Sequence, residues 1–192
     1  MKNIIEIAKR QPSTVAVLIL LILSYAFNIY ASDLLTRSYQ ESLFPVPYFE
    51  AQLSFDAQRI KEWYGFLIEH NTLDKYLQTQ HIDYLFMLSV LLLHFFALLF
   101  VSRLFPSASR WRRGLIICAL ISSLAPIADG LENLVSYVML ADPLEFSSYL
   151  AILYSSFAAL KFAMFIFAYT ALAVGLLAAL IMFLYAMTQR RI

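Results

Sequence analysis

The chain has 192 residues, of which 61% are hydrophobic and only 14% are charged, and its mean hydropathy is +0.72. Soluble domains carry about 25% charged residues, so a water-soluble core of this size is excluded and we predict an integral membrane protein. The net charge of +1, without a basic run interleaved with aromatic residues, excludes a general nucleic-acid-binding role.

Four apolar segments are long enough to cross the hydrocarbon core as helices, which takes about 20 residues each. They cover approximately 13–31, 82–105, 114–140 and 148–188. We therefore predict an all-α fold, a single membrane domain over 1–192 built as a four-transmembrane-helix bundle. The first segment resembles a signal peptide in composition, but its length and the lack of a small-x-small cleavage site favour a retained span.

Basic residues near helix ends mark the cytoplasmic side of a membrane protein. Three regions carry them: before the first span, between the second and third, and after the fourth (Lys2, Lys9, Arg10; Arg103, Arg110, Arg112, Arg113; Arg190, Arg191). The connection between the third and fourth spans carries Asp142 and Glu145 instead. The pattern predicts that both termini are cytoplasmic and that the first and third connections lie outside.

The first connection, 32–81, is too long to be an unstructured link in so compact a protein. Apolar residues recur at helical spacing over 50–69, with charged residues on the other faces, which predicts an amphipathic helix at the outer interface. Pro45 and Pro47 are expected to hold 44–49 extended. A break is predicted at 70–72, with Asn71 or Thr72 capping the helix that continues into the second span.

Ionisable residues within the hydrocarbon cost roughly 2.5–3.5 kcal/mol each on insertion scales, so each needs an explanation. The third span carries Asp129, Glu132 and Asn133, and the fourth carries Lys161. Asp129 and Lys161 both lie about 12 to 14 residues, or roughly 20 Å of helix, from the intervening hairpin. We expect them to form an ion pair, which leaves Glu132 as an excess carboxylate that is protonated, held by donors such as Asn133, or paired with a ligand.

The polar residues of the third span share one helical face, because Ser122, Glu132, Asn133 and Ser136 are spaced about Asp129 by three, four or seven positions. Pro126 is expected to kink this span. Asn28 and Asp33 at the end of the first span, and Tyr76 and Asp83 at the start of the second, are expected at the same outer half. The candidate ligand-binding residues are therefore Asp129, Glu132, Asn133, Lys161, Asp83, Tyr76, Asn28 and Asp33.

We interpret these residues as an outward-facing pocket, and the alternative is a buried network that only fixes helix register. No metal or other cofactor is predicted. His94 has no second histidine at membrane depth to complete a haem site and is interpreted as a hydrogen-bonded core residue. His81 and Asp83 lack a third metal ligand. Cys118 is the single cysteine, which excludes a disulfide or CxxC pair within the chain.

The segment Leu124-Ala-Pro-Ile-Ala-Asp-Gly-Leu-Glu-Asn133, followed by Asp142-Pro143 and by Ser156-Phe-Ala-Ala-Leu-Lys161, resembles an uncharacterised family of small four-span bacterial membrane proteins. In that family a P-x-x-D-x-x-E-N segment precedes a span with a single lysine. Lys75, Tyr76 and Asp83 match the opening of its second span, where Asp74-Lys75 replaces the usual Gly-Arg pair. The resemblance covers about 72–165 and implies a bacterial inner membrane, without implying an activity.

The predicted architecture is also similar to the emopamil-binding-protein superfamily of sterol isomerases and sterol- or drug-binding proteins. This similarity lies in four spans, a long first outer connection and acids facing a lipid-accessible pocket, and is analogy at the level of fold. It implies that Asp33, Asp83 and Glu132 are pocket acids.

Three functions fit the sequence. The leading hypothesis is a protein that binds a membrane lipid or small amphiphile in the outward-facing pocket. A lipid- or isoprenoid-modifying, isomerase-like enzyme would use Glu132 or Asp83 as general acid/base, with the catalytic residues otherwise unknown. A non-catalytic accessory subunit would pair its buried charges with a membrane-protein partner or in a homo-oligomer. A channel or transporter is disfavoured because the acids gather in one half of the membrane.

Overall fold

The computed structural model describes residues 12–189, and within this range the chain consists of helices joined by turns. The helices are α1 (Thr14–Glu41), α2 (Tyr48–Gln52), α3 (Ala57–Glu69), α4 (Leu73–Arg103), α5 (Arg110–Ser122), α6 (Ala125–Ala141) and α7 (Ser148–Gln189). Four units are long and apolar enough to cross a membrane: α1, α4, α5 with α6, and α7. The predicted all-helical fold with four spans is therefore confirmed. The basic residues at 2, 9, 10, 190 and 191 lie outside the described range.

Two helices extend beyond the predicted apolar spans. Helix α1 runs ten residues past 31 to Glu41, and α4 begins at Leu73, ahead of the apolar run at 82 and where the predicted cap at Asn71 or Thr72 places its start. These extensions are more polar than the spans, which is why an apolar run did not reveal them. They persist because they pack on each other, and the hydroxyls of Ser38 and Thr79 lie 2.7 Å apart across the contact. The predicted cap at 32–81 shrinks accordingly to 42–72, which we call the cap.

The third span is interrupted where Pro126 predicted a kink. Helix α5 ends at Ser122 and α6 begins at Ala125, with the proline in its first turn. Proline suits the first turn of a helix because the backbone N–H that it lacks has no partner there. The kink is therefore confirmed as a two-residue interruption at Ser123 and Leu124, both of which keep right-handed helical dihedrals.

The cap contains two helices instead of the single helix predicted over 50–69. Phe55 has a φ of 52°, which ends the first segment, and the Asp56 side chain starts α3 by accepting from the backbone N of Gln58 at 2.9 Å. Tyr48 and Phe49 are helical, so the prediction of an extended 44–49 is wrong for these two residues. The break at 70–72 is confirmed, since Asn71 has a φ of 55° and α4 starts immediately after Thr72.

Helix α4 is the centre of the bundle and packs on α1, α5, α6 and α7, while α6 packs along α7. Helix α1 packs extensively on α4 alone among the described helices. Both cap helices lie against α7, and Ile60, Tyr64 and Leu67 of α3 are buried in an aromatic core with Tyr76 and Tyr154. Because α1 and α7 are not packed together, a gap is left between them beneath the cap.

Gly175 sets the distance between α7 and the helices α4 and α5. A Cβ atom here would lie 2.9 Å from Leu115 Cδ2 and 3.0 Å from Val101 Cγ1, whereas a Cβ at Gly114 would meet nothing within 4 Å. We expect Gly175→Ala to lower the free energy of unfolding by about 1 to 3 kcal/mol, because overpacking separates the helices. Thermal unfolding in detergent measures this effect. Gly114→Ala is the matched control and should be no less stable than the parent, and equal behaviour of the two variants would contradict this packing.

Candidate functional site

Lys161 lies between two acids of the neighbouring helix. Its Nζ is 2.9 Å from Asp129 Oδ1 and 2.6 Å from Glu132 Oε2. The side chains of Lys161, Asp129 and Glu132 are only 5%, 2% and 0% exposed. The predicted ion pair with Asp129 is confirmed, and Glu132 shares the same amine instead of standing apart from it.

A second polar contact joins α4 to α6. Asn133 donates from Nδ2 to Asp83 Oδ2 at 2.7 Å and also contacts the Met87 sulfur at 3.7 Å. Asn133, one of the donors considered for Glu132, therefore contacts Asp83 instead. Asp83, Asp129, Glu132, Asn133 and Lys161 together form what we call the Lys161 cluster, which ties α4, α6 and α7 together.

The spacing of residues on α6 explains why they converge. Asp129, Glu132 and Asn133 occupy positions i, i+3 and i+4, which share one side of a helix, and all three are buried together with Ser136. Gly130 keeps α6 close to α4, since a Cβ there would lie 3.3 Å from the end of Met87. The polar face thus points into the bundle and away from acyl chains.

The Lys161 cluster carries more acid than base. It contains the carboxyl groups of Asp83, Asp129 and Glu132 against the single amine of Lys161. The other ion pairs of the described chain lie elsewhere, and Glu132 Oε1 is buried without a hydrogen-bond partner. A buried polar atom without a partner costs free energy, so the cluster has capacity for a further proton or donor.

A cavity of about 470 Å³ lies between α1, α2, α4 and α7. Asp83 and Lys161 are the ionisable carboxyl and amine groups that line it, so one side of the Lys161 cluster forms its floor. The walls are largely apolar and aromatic. The lining residues are Ser32, Leu35, Thr36, Tyr39, Gln40, Pro47, Tyr48, Phe49, Gln52, Asp83, Phe86, Lys161, Phe162 and Phe165.

Tyr48 of the cap is a site residue that the sequence predictions missed. It lines the cavity, and its hydroxyl is buried without a hydrogen-bond partner in the described chain. Burial, reinforced by the nearby Asp83 carboxylate, raises the pKa of Tyr48 well above its ordinary value. The hydroxyl therefore stays neutral and can both donate and accept a hydrogen bond at the cavity wall.

Three predicted site residues lie outside the Lys161 cluster. Tyr76 is buried in the aromatic core, where its ring centroid is 4.7 Å from that of Phe44. Asn28 donates to Ser89 Oγ at 3.0 Å and joins α1 to α4. Asp33 is 55% exposed and pairs with Arg37 on its own helix. The structure therefore does not bring Asn28 or Asp33 to the cavity floor, because Asn28 faces Ser89 of α4 and Asp33 lies on an exposed side of α1.

The interpretation of His94 as a hydrogen-bonded core residue is wrong in one respect: the residue is buried but has no hydrogen bond. It is 1% exposed, and neither ring nitrogen has a hydrogen-bond partner in the described chain. Its ring instead packs edge-on against Phe165 and Tyr169, with centroid distances of 5.6 and 5.0 Å. No group of three or more His, Cys, Asp or Glu residues within 12–189 is arranged to hold a metal ion.

Comparison with known proteins adds no relative: no family model, no curated protein and no solved structure matches this chain. The two resemblances noted from the sequence therefore remain hypotheses.

Lys161→Met should destabilise the protein by about 3 to 5 kcal/mol, because it leaves buried carboxylates without their counter-charge. The triple variant Lys161→Met/Asp129→Asn/Glu132→Gln should recover most of this loss, since it removes the charges together. Unfolding monitored by circular dichroism in detergent measures both effects. Arg37→Met is the matched control at an exposed pair and should change stability by less than about 1 kcal/mol. Equal effects at 37 and 161 would contradict the buried network.

His94→Leu should leave stability unchanged or raise it by about 1 to 3 kcal/mol, because it removes unpartnered buried nitrogens from an apolar environment. The same unfolding measurement tests this expectation. A loss comparable with that of Lys161→Met would show that the imidazole has a polar partner.

Proposed function

We propose that the protein binds a membrane lipid or small amphiphile in the cavity between α1 and α7. The main support for the proposal is that a cavity between membrane-spanning helices combines aromatic and aliphatic walls with a carboxyl and an amine on its floor. Ligand pockets of about 300 to 1,000 Å³ are typically lined in this way, by apolar side chains and a few placed polar groups.

The position of the cavity favours a ligand that arrives from the membrane. Helix α1 packs closely on α4 and has little contact with α7, and residues of both α1 and α7 line the cavity. We propose that the ligand enters between these two spans, where acyl chains can reach it. Asp83 Oδ2 is held by Asn133, and Tyr48 has an unsatisfied hydroxyl. A ligand with a polar head and an apolar tail would give the Tyr48 hydroxyl a partner and also cover Phe86, Phe162 and Phe165.

The cap supports the same proposal. Helix α3 buries Ile60, Tyr64 and Leu67 against the bundle and turns its charged residues outward, and α2 covers the cavity with Tyr48 and Phe49. We propose that the cap is an amphipathic element at the outer interface of a bacterial inner membrane, with both termini cytoplasmic. The distribution of Lys and Arg along the sequence supports this orientation.

A second candidate function is a lipid- or isoprenoid-modifying enzyme, and the position of Asp83 favours it. Its carboxyl group lines the cavity and is oriented by Asn133, as a general acid or base requires. Lipid extracts from cells carrying Asp83→Asn would then accumulate a substrate isomer. Unchanged lipid and isoprenoid pools would argue against catalysis and leave binding as the function.

Filling the cavity tests the binding proposal. Thr36→Phe places a ring in the cavity from α1, and Ala26→Phe adds the same ring to an exposed position of α1 outside the lining. We expect native mass spectrometry of the parent protein to show amphiphile adducts that survive release from detergent. Thr36→Phe should lose most of them because the space is occupied. Ala26→Phe should retain them, and equal occupancy in all three proteins would overturn the proposal.

A further inference from the structure

The end of the bundle opposite the cap carries basic residues without acidic ones. Residues 84–128 contain four arginines and no Asp or Glu. Two neighbouring stretches, 12–32 and 162–189, which run from this end towards the cavity beneath the cap, also lack Asp and Glu. Arg110 and Arg113 are exposed. A surface of this kind attracts anionic groups at the membrane interface, at about 1 kcal/mol per basic residue.

A groove of about 300 Å³ lies between α5 and α7 at this end. Its walls are apolar, and Arg110 and Trp111 stand at one end of the lining. Gly114 leaves the groove open because it has no side chain, and nothing lies within 4 Å of the position a Cβ would take. The lining residues are Arg110, Trp111, Gly114, Leu115, Cys118, Ala171 and Val174.

We propose that this groove is a binding site for an anionic phospholipid, with one acyl chain along the groove and the phosphate on Arg110. The apolar walls match an acyl chain, and Trp111 is a residue type that favours the headgroup level of a bilayer. The guanidinium of Arg110 is suited to hydrogen-bond a phosphate through two N–H groups. The site is separate from the cavity beneath the cap, since the two share no lining residue.

Lipid retention by the purified full chain tests the site. The protein is exchanged into detergent with dioleoyl phosphatidylglycerol or dioleoyl phosphatidylcholine, and bound lipid is counted by native mass spectrometry. We expect phosphatidylglycerol to be retained at least about fivefold more than phosphatidylcholine, which corresponds to about 1 kcal/mol. Inorganic phosphate should not displace it, because a free anion lacks the acyl chain. Equal retention of the two lipids, or displacement by phosphate, would overturn the proposal.

Three variants locate the contact. Arg110→Gln should abolish the preference for phosphatidylglycerol, and Gly114→Leu should lower retention of this lipid by filling the groove. Arg113→Gln makes the same charge change three residues away, outside the lining, and should keep most of the preference. Equal losses at 110 and 113 would mean general attraction to a basic surface and would contradict a defined site. If a variant does not fold, the parent comparison of the two lipids still decides.

Discussion

The placement of one amine between two carboxylates, out of reach of water, is the constraint on which the bundle depends. Lys161 reaches both Asp129 and Glu132 within hydrogen-bonding distance, and Asn133 reaches Asp83 from the same face of α6. Groups of this kind are costly in hydrocarbon unless they meet each other. Their meeting fixes the depth and rotation of α4, α6 and α7, and it places a polar floor under the cavity.

The spacing of a few residues was enough to predict the Asp129–Lys161 pair and the shared polar face of α6, whereas the contacts of Glu132 with Lys161 and of Asn133 with Asp83 were not predicted. The geometry of a helix places residues at positions i, i+3 and i+4 of the third span on one face. Asp129 and Lys161 lie at the same depth because they are equally far from the hairpin. The break before Pro126 follows from proline chemistry in the same way. These features are local, so they can be predicted from the sequence without knowledge of the tertiary structure.

The features that the sequence did not reveal depend on contacts between distant segments. Helix α1 continues to Glu41 because its polar end packs on the start of α4, as the Ser38–Thr79 contact shows. With α1 assumed to end at 31, Leu35, Thr36 and Tyr39 could not be assigned to a cavity wall. Phe86 and Phe165 were within reach of prediction, since they follow Asp83 and Lys161 by three and four residues on the same helix faces. Tyr48 had no comparable signal, because its place depends on how the cap folds over α7.

The two ends of the bundle offer different chemistry to the membrane. Beneath the cap, acids outnumber the amine and a cavity opens between α1 and α7. At the other end, Arg110 borders an apolar groove between α5 and α7. The cavity is suited to a ligand that enters the bundle, and the groove to a lipid that remains part of the surrounding bilayer. Both depend on α7, which the Lys161 cluster holds in place.

A distance measurement in a bilayer would show whether Lys161 lies between Asp129 and Glu132. Rotational-echo double-resonance NMR on reconstituted protein, with ¹⁵N in the lysine side chains and ¹³C in the Asp and Glu carboxyl groups, reports which carboxyls lie near Lys161 Nζ. We expect two carboxyl carbons within about 3 to 4 Å of this nitrogen, and one of the two contacts should disappear in Asp129→Asn and the other in Glu132→Gln. A Lys161 signal with no carboxyl carbon within that range would contradict it, since the amine and the acids would then lie on separate surfaces.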